Sequence, residues 1–138
     1  MKSHSTKRLL LCIMMLTVML TTFARTLNVR EMGAKGDGIH LDSDAINSAI
    51  AIVAGEGGGT VLIPSGRYLC YSIRLASHVT LRMETGTVIV AAKAEEGRGY
   101  DVAERNAEPL YQDFGHSHWH NSLIWGENLQ DVMICGGG

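Results

Sequence analysis

The amino-acid sequence predicts an all-β chain, a parallel solenoid of short stacked strands preceded by one amphipathic helix, and three observations lead there. Apolar residues recur at helical spacing in residues 42–54. From residue 60 onward the apolar period falls to two, and turns rich in glycine, proline and serine separate the two-period segments at short intervals. Sandwiches and barrels use the same short strands, but neither gives the helix a task. A solenoid does, because its open end exposes backbone and apolar interior, and a helix ahead of the first coils covers both.

The amino-terminal stretch is a different kind of element. Lys2, Lys7 and Arg8 precede an uncharged apolar run at residues 9–20, and Thr22, Phe23 and Ala24 place small residues where a signal peptidase cuts. A membrane span needs about 20 apolar residues, so the run is too short to be one. Residues 1–24 are therefore expected to be a signal peptide and residues 25–138 the amino-terminal part of one domain, secreted or periplasmic and free of the membrane after cleavage. Cys12 follows Leu11 inside the apolar run, which is not a lipoprotein cleavage site. The formal net charge is -2, and cleavage removes three basic residues, so the exported chain is more acidic still and a nucleic-acid partner is excluded. Cys70 and Cys135 remain, both in apolar strand-like contexts, where buried free thiols are favoured over a disulfide.

The elements then follow in order. Residues from Val29 read as a strand that runs into a glycine turn at Gly33, Gly36 and Gly38. In the helix, Ile46, Ala49, Ile50 and Val53 form one apolar face, Asp42 can cap the start, Asp44 sits in the first turn, and Gly55 can end it. Strands are expected at residues 60–63, 68–70, 72–75, 79–83 and 87–90. Val79, Leu81 and Met83 alternate with Thr80 and Arg82 and so face opposite ways. Residues 91–121 break this pattern with a polar stretch long enough to be a functional loop, which carries Tyr111, Phe114 and Trp119. Strand character returns at residues 122–125 and 132–135.

Few residues suggest chemistry. The glycines are spaced G-x-x-G-x-G without a following crossover, and Gly57, Gly58 and Gly59 lack the Lys-Ser or Lys-Thr of a phosphate loop, so both sets are turn formers. Asp37, Asp42 and Asp44 lie close enough to suggest calcium, but capping and dipole placement account for Asp42 and Asp44. His116, His118 and His120 alternate, as zinc ligands on a strand would, yet they sit in a loop with no carboxylate placed by spacing, so neither a metal nor any cofactor is assigned. The same loop fits a sugar better. Tyr111, Trp119 and Trp125 can stack on sugar faces while His116, His118 and Asn121 hydrogen-bond hydroxyls, so the candidate substrate-binding residues are His116, His118, Trp119 and Asn121.

The runs from Met32 through Gly33, Ala34, Lys35, Gly36, Asp37 and Gly38 to Asp42 and Asp44, from Gly57 through Pro64 and Gly66 to Tyr68, and from Ser122 through Trp125 and Gly126 to Gly136 resemble, in order and spacing, the amino-terminal coils of pectin-lyase-like β-helices, most closely glycoside hydrolase family 28. Met32 stands where that family usually has Phe or Tyr, and Asp42-Ser43-Asp44 where it commonly has Asp-Asp-Thr. The resemblance implies a right-handed parallel β-helix of which only the first coils are present, and a monomeric, inverting hydrolase of galacturonosyl linkages in pectic polysaccharide. The Asn-Thr-Asp, Asp-Asp, Gly-His-Gly and Arg-Ile-Lys motifs of the family's chemistry do not occur in this sequence. No catalytic residue is therefore assigned, and the chain is expected to be an inactive amino-terminal fragment. A calcium-dependent pectate lyase and a non-catalytic polysaccharide-binding β-helix are the rival expectations. Mass spectrometry of exported protein is expected to place the amino terminus at Arg25; a retained Met1 would reject the leader.

Overall fold

A computed structural model describes residues 25–103 and 120–137, so the expected signal peptide lies outside the described residues. The first coil consists of β1 (Arg25–Asn28), a 3-10 turn (Val29–Met32), β2 (Asp37–Leu41) and α1 (Ser43–Gly55). The second holds β3 (Gly59–Ile63), β4 (Gly66–Cys70) and β5 (Ile73–Arg74), the third β6 (Val79–Met83), β7 (Thr87–Ala91) and β8 (Ile124–Trp125), and β9 (Met133–Gly136) begins a fourth. Successive coils stack into three sheets, ordered β1-β3-β6-β9, β2-β4-β7 and β5-β8. Every pairing between these strands is parallel. β3 and β4 belong to different sheets and do not form a hairpin. The fold is thus a parallel β-helix, as expected.

Register decides what lies inside. Leu27, Val61, Leu81 and Ile134 occupy matching positions in four successive strands, and the first three are buried. Tyr68 pairs with Ile89 in the second sheet, and Ile73 with Ile124 in the third. α1 follows the second sheet and returns the chain to the first, so it takes the side of the first coil that β5 and β8 take later. Its face of Ile46, Ala49, Ile50 and Val53 is buried in one core with Val61 and Ile63, and each of the three larger side chains contributes about 2 kcal/mol by leaving water. At β9 the column is open to solvent, with Met133 and Ile134 exposed.

Two expectations about the first coil are corrected. The strand lies before Val29, at β1, and Val29–Met32 is a 3-10 turn that Asn28 caps by accepting a hydrogen bond from Arg30 N. Val29 is buried all the same, which is why it reads as part of a strand. Asp42 does not cap α1 with its side chain. Its carboxylate turns back and accepts hydrogen bonds from Lys35 N at 2.6 Å and Gly36 N at 3.0 Å, while its own N–H donates to Leu69 O at 2.9 Å. The cause is sterically defined: Gly36 has φ +63°, and a Cβ there would lie 2.8 Å from the Tyr68 ring, so the glycine loop packs against β4 with two amides that need an acceptor.

Asp37 is likewise absorbed by local structure, accepting from Ile39 N and His40 N and pairing with the His40 ring, which hold its carboxyl far below the usual range. Cys70 and Cys135 are both unbridged, and burial pushes the Cys70 thiol up to about 12. Asp42→Ala, which leaves both loop amides without their acceptor, is expected to lower the unfolding free energy by about 3 kcal/mol, and Asp42→Asn by less, because its amide oxygen still accepts. Urea denaturation of the variants measures this; a loss below about 0.5 kcal/mol for Asp42→Ala would show that the loop holds itself.

Candidate functional site

The chain leaves the coil after β7 and rejoins it at β8, and polar groups gather where it departs and returns. Tyr71 and Ser72 form the corner between β4 and β5. Ser72 is buried, and its hydroxyl accepts from Asp101 N at 3.0 Å and donates to Ser122 O at 2.8 Å, so one side chain holds both ends of the excursion. The corner is fixed from the helix side too. Asn47 donates to Ser72 O at 2.9 Å and accepts from Arg74 N at 2.8 Å, and Ser43 Oγ accepts from Tyr71 N at 2.8 Å.

Above this corner stands a charged clamp. Arg74, pointing outward from β5, donates through Nε to Asp101 Oδ2 at 2.7 Å and through Nη2 to Oδ1, the two-point geometry that suits guanidinium and carboxylate. Trp125 Nε1 donates to Asp101 Oδ2 at 2.8 Å. These bonds, that from Arg74 foremost, hold the Asp101 carboxyl below its usual range against the opposing effect of burial, and the same pairing raises Arg74. Asp101 is an ionised acceptor already engaged in three hydrogen bonds, which suits positioning more than proton transfer.

Trp125 is the product of that positioning. Its indole edge is fixed by Asp101, the His120 ring stacks on it with centroids 3.9 Å apart and planes 34° from parallel, and His120 Nε2 lies 2.9 Å from Glu127 Oε1. Beside it Ser122, Ile124, Gly126 and Glu127 complete a hollow of about 280 Å3. An aromatic surface with a carboxylate and a hydroxyl around it can take a sugar ring, apolar face on the indole and hydroxyls on the acceptors.

Of the candidate residues, His116, His118 and Trp119 lie outside the described residues, and Asn121 is exposed where the excursion returns. His120, grouped by spacing with the other two histidines as a possible zinc ligand, is found against Trp125 and Glu127. Among the described residues no three His, Cys, Asp or Glu side chains stand together as a metal site would need. Ser72, Arg74 and Asp101 escaped the sequence reading. Ser72 and Arg74 read only as strand residues, and nothing in the spacing ties Asp101, 27 positions from Arg74, to it.

The family model described as rhamnogalacturonase A/epimerase, pectate lyase-like, matches residues 26–122. The chain belongs to this family. A probable polygalacturonase of Vitis vinifera is 29% identical over 127 residues, covering 82% of this chain and 23% of the relative. Alginate lyase 7 of Azotobacter vinelandii is 45% identical over 65 residues, 47% of this chain and 8% of that enzyme. The family 28 exopolygalacturonase of Yersinia enterocolitica superposes with a TM-score of 0.63 at 26% identity, over 84% of this chain and 20% of its own. The chain spans less than a quarter of the length of each of these three proteins.

Because the Asp101 carboxyl is held below its ordinary value of 3.8, the clamp stabilises the folded chain fully above that value and stops doing so as pH falls through the lower folded one. The sequence contains two tryptophans, so a Trp119→Phe protein reports on Trp125 alone. Its emission is expected to shift to the red only as pH falls below the ordinary carboxyl value of 3.8, and Asp101→Asn in the same background to be shifted already at neutral pH. Identical titrations of the two proteins would show that Asp101 does not hold the indole.

Proposed function

We propose that this chain supplies the first coils and a sugar-contacting wall of an exported glycoside hydrolase that cleaves galacturonosyl linkages in pectic polysaccharide, the polygalacturonase type of reaction. The observation that carries this is the likeness to a probable polygalacturonase across 82% of the chain. The hollow beside Trp125 supports it from the geometry, as do the strands that place it at the edge of a stack on which further coils can build.

Bond cleavage with inversion needs a carboxylic acid and a carboxylate base about 6.5–9.5 Å apart on opposite sides of the sugar. Among the described residues the buried or paired carboxylates are already committed: Asp42 to two backbone amides, Asp37 to His40, Asp101 to Arg74 and Trp125, Glu56 to Arg25, Glu127 to His120 and Asp131 to His78. In this reading the reacting pair comes from elsewhere in a longer protein, and residues 25–138 bind and shape. His116, His118, Trp119 and Asn121 are assigned to sugar contact. The working protein is secreted or periplasmic, monomeric, and uses no cofactor.

The likeness of residues here to an alginate lyase favours a second reading, in which a base removes a ring proton and the linkage is eliminated. The two reactions leave different ends. Incubation of polygalacturonate with the protein of the extended reading frame is expected to release reducing ends without an unsaturated, ultraviolet-absorbing product, and the 138-residue chain to release neither. An unsaturated product would select elimination. Turnover by the 138-residue chain that disappears on replacing His116, His118 and His120 by alanine would place the chemistry in the loop and overturn the proposal.

A further inference from the structure

A second recess lies on the other side of the clamp and borders it at Ser72, Arg74 and Asp101. On the outer face of the β2-β4-β7 sheet, Ile39, Leu41 and Leu69 floor a cleft of about 360 Å3 whose rim carries Lys93, Glu95 and Arg98. A neighbouring cleft of about 390 Å3 lies between α1 and the start of the excursion, lined by Asp44, Asn47 and Arg74 among others. The two share Leu41, Tyr71 and Arg98, so they run into one another past the Tyr71 ring. Each alone has the volume of an ordinary small-molecule site, about 300–1,000 Å3.

The lining has an unusual combination. Outward-facing apolar side chains make the floor, and Ile39 is left 77% exposed. The Tyr71 ring is held in place by its hydroxyl, which donates to Lys93 O at 3.2 Å, and by an edge-on contact with Tyr100 at 5.5 Å. At the rim, Lys93 and Arg98 are exposed and form no ion pair among the described residues. Arg98 contributes its backbone to a two-bond turn with Glu95, at 2.8 and 3.0 Å, which fixes the turn and leaves the guanidinium to the groove. An apolar floor beneath separated cations fits a ligand with apolar ring faces and carboxylates at its edge. The acids of the two linings, Asp44, Glu95 and Asp101, equal the cations Arg74, Lys93 and Arg98 in number, so the groove as a whole is neutral and its match to carboxylates is local, at Lys93 and Arg98; Asp101 is taken up by Arg74, while Asp44 and Glu95 can accept from ligand hydroxyls.

We propose that this groove is a binding site, apart from the hollow at Trp125, for an acidic oligosaccharide that lies across Tyr71 with its carboxylates on Lys93 and Arg98. Guanidinium and ammonium recognise the carboxylates, the first in two-point fashion and the second as a point charge. The leucines and Tyr71 take the ring faces. The choice of a uronate polymer rests on the pectic reading; the groove itself does not.

Native electrophoresis of the full chain through gels containing polygalacturonate, alginate or neutral dextran, each against a polymer-free gel, tests it. Lys93→Gln and Arg98→Gln are each expected to weaken retardation by polygalacturonate by about two- to fivefold, the effect of one exposed ion pair. Arg82→Gln, which removes the same charge from the outer face of β6, is expected to leave it unchanged, and dextran to retard none of the proteins. An equal loss for Arg82→Gln, no loss for either groove variant, or no retardation of the parent by any acidic polymer would overturn the groove. Dependence on Lys93 and Arg98 with alginate alone would uphold the groove and overturn the pectic reading. Hydrolysis of polygalacturonate by the longer protein, with groove variants that bind as the parent does, would do the reverse.

Discussion

Parallel stacking of coils, one strand spacing of about 4.8 Å apart, is the constraint on which the rest depends. It forces like positions of successive coils into columns, so a single inward position must be apolar in every coil, as Leu27, Val61 and Leu81 are. It also brings corner backbones into contact. Gly58 has φ +108°, and a Cβ there would meet the backbone and side chain of His78 in the next coil, so this turn is closed to other residues. What the chain does at its outer surface is free of that constraint, and the polar clusters are found there.

Among the described residues the first coil pairs on one side only, with the second coil, and side chains add to its hold. β2 pairs with β4 at Asp37 with Arg67 and Leu41 with Leu69, with a register shift between them. In the glycine loop just before β2, Asp42 supplies the acceptors for the amides of Lys35 and Gly36. Arg30 adds two hydrogen bonds of 3.0 Å to Lys35 O and Ser65 O while its guanidinium lies 6.0 Å from the centre of the Tyr68 ring, tying the 3-10 turn to the next coil's corner. Side chains here do the work that backbone pairing does farther along, which is the usual remedy for buried polar groups.

That difference explains what was legible in the sequence. α1 and the strands from β3 through β7 follow from periodicity because each has one face against the core, and periodicity records burial; β9 carries the same pattern although its Met133 and Ile134 are exposed. The 3-10 turn was misread because Val29 is buried without belonging to a strand. Asp42 was misread because a capping position and an inward-turned acceptor look alike when the loop it serves lies seven residues back. Arg74 with Asp101, and Ser72 with Ser122, are pairings across 27 and 50 positions that depend on how many residues fill each coil. Trp125 was recognisable as an aromatic near the loop, but the carboxylate that orients it was not.

The position of the excursion also has a physical reason. The third sheet is the shortest, two residues in each strand, so a departure between β7 and β8 gives up few ladder bonds. Closing a long excursion costs entropy that rises only slowly with its length, by about 0.6 kcal/mol for each doubling, so a few well-placed bonds at its base suffice whatever lies between. Ser72 provides two of them, and the Arg74–Asp101–Trp125 clamp adds charge-assisted ones. The clamp uses groups already fixed by the coil, since Arg74 belongs to β5 and Trp125 to β8, and Asp101 alone belongs to the departing chain. Contact surface can therefore be varied in the excursion without disturbing the columns beneath, while Trp125 keeps its orientation because its hydrogen bond is anchored through Asp101 to the coil below.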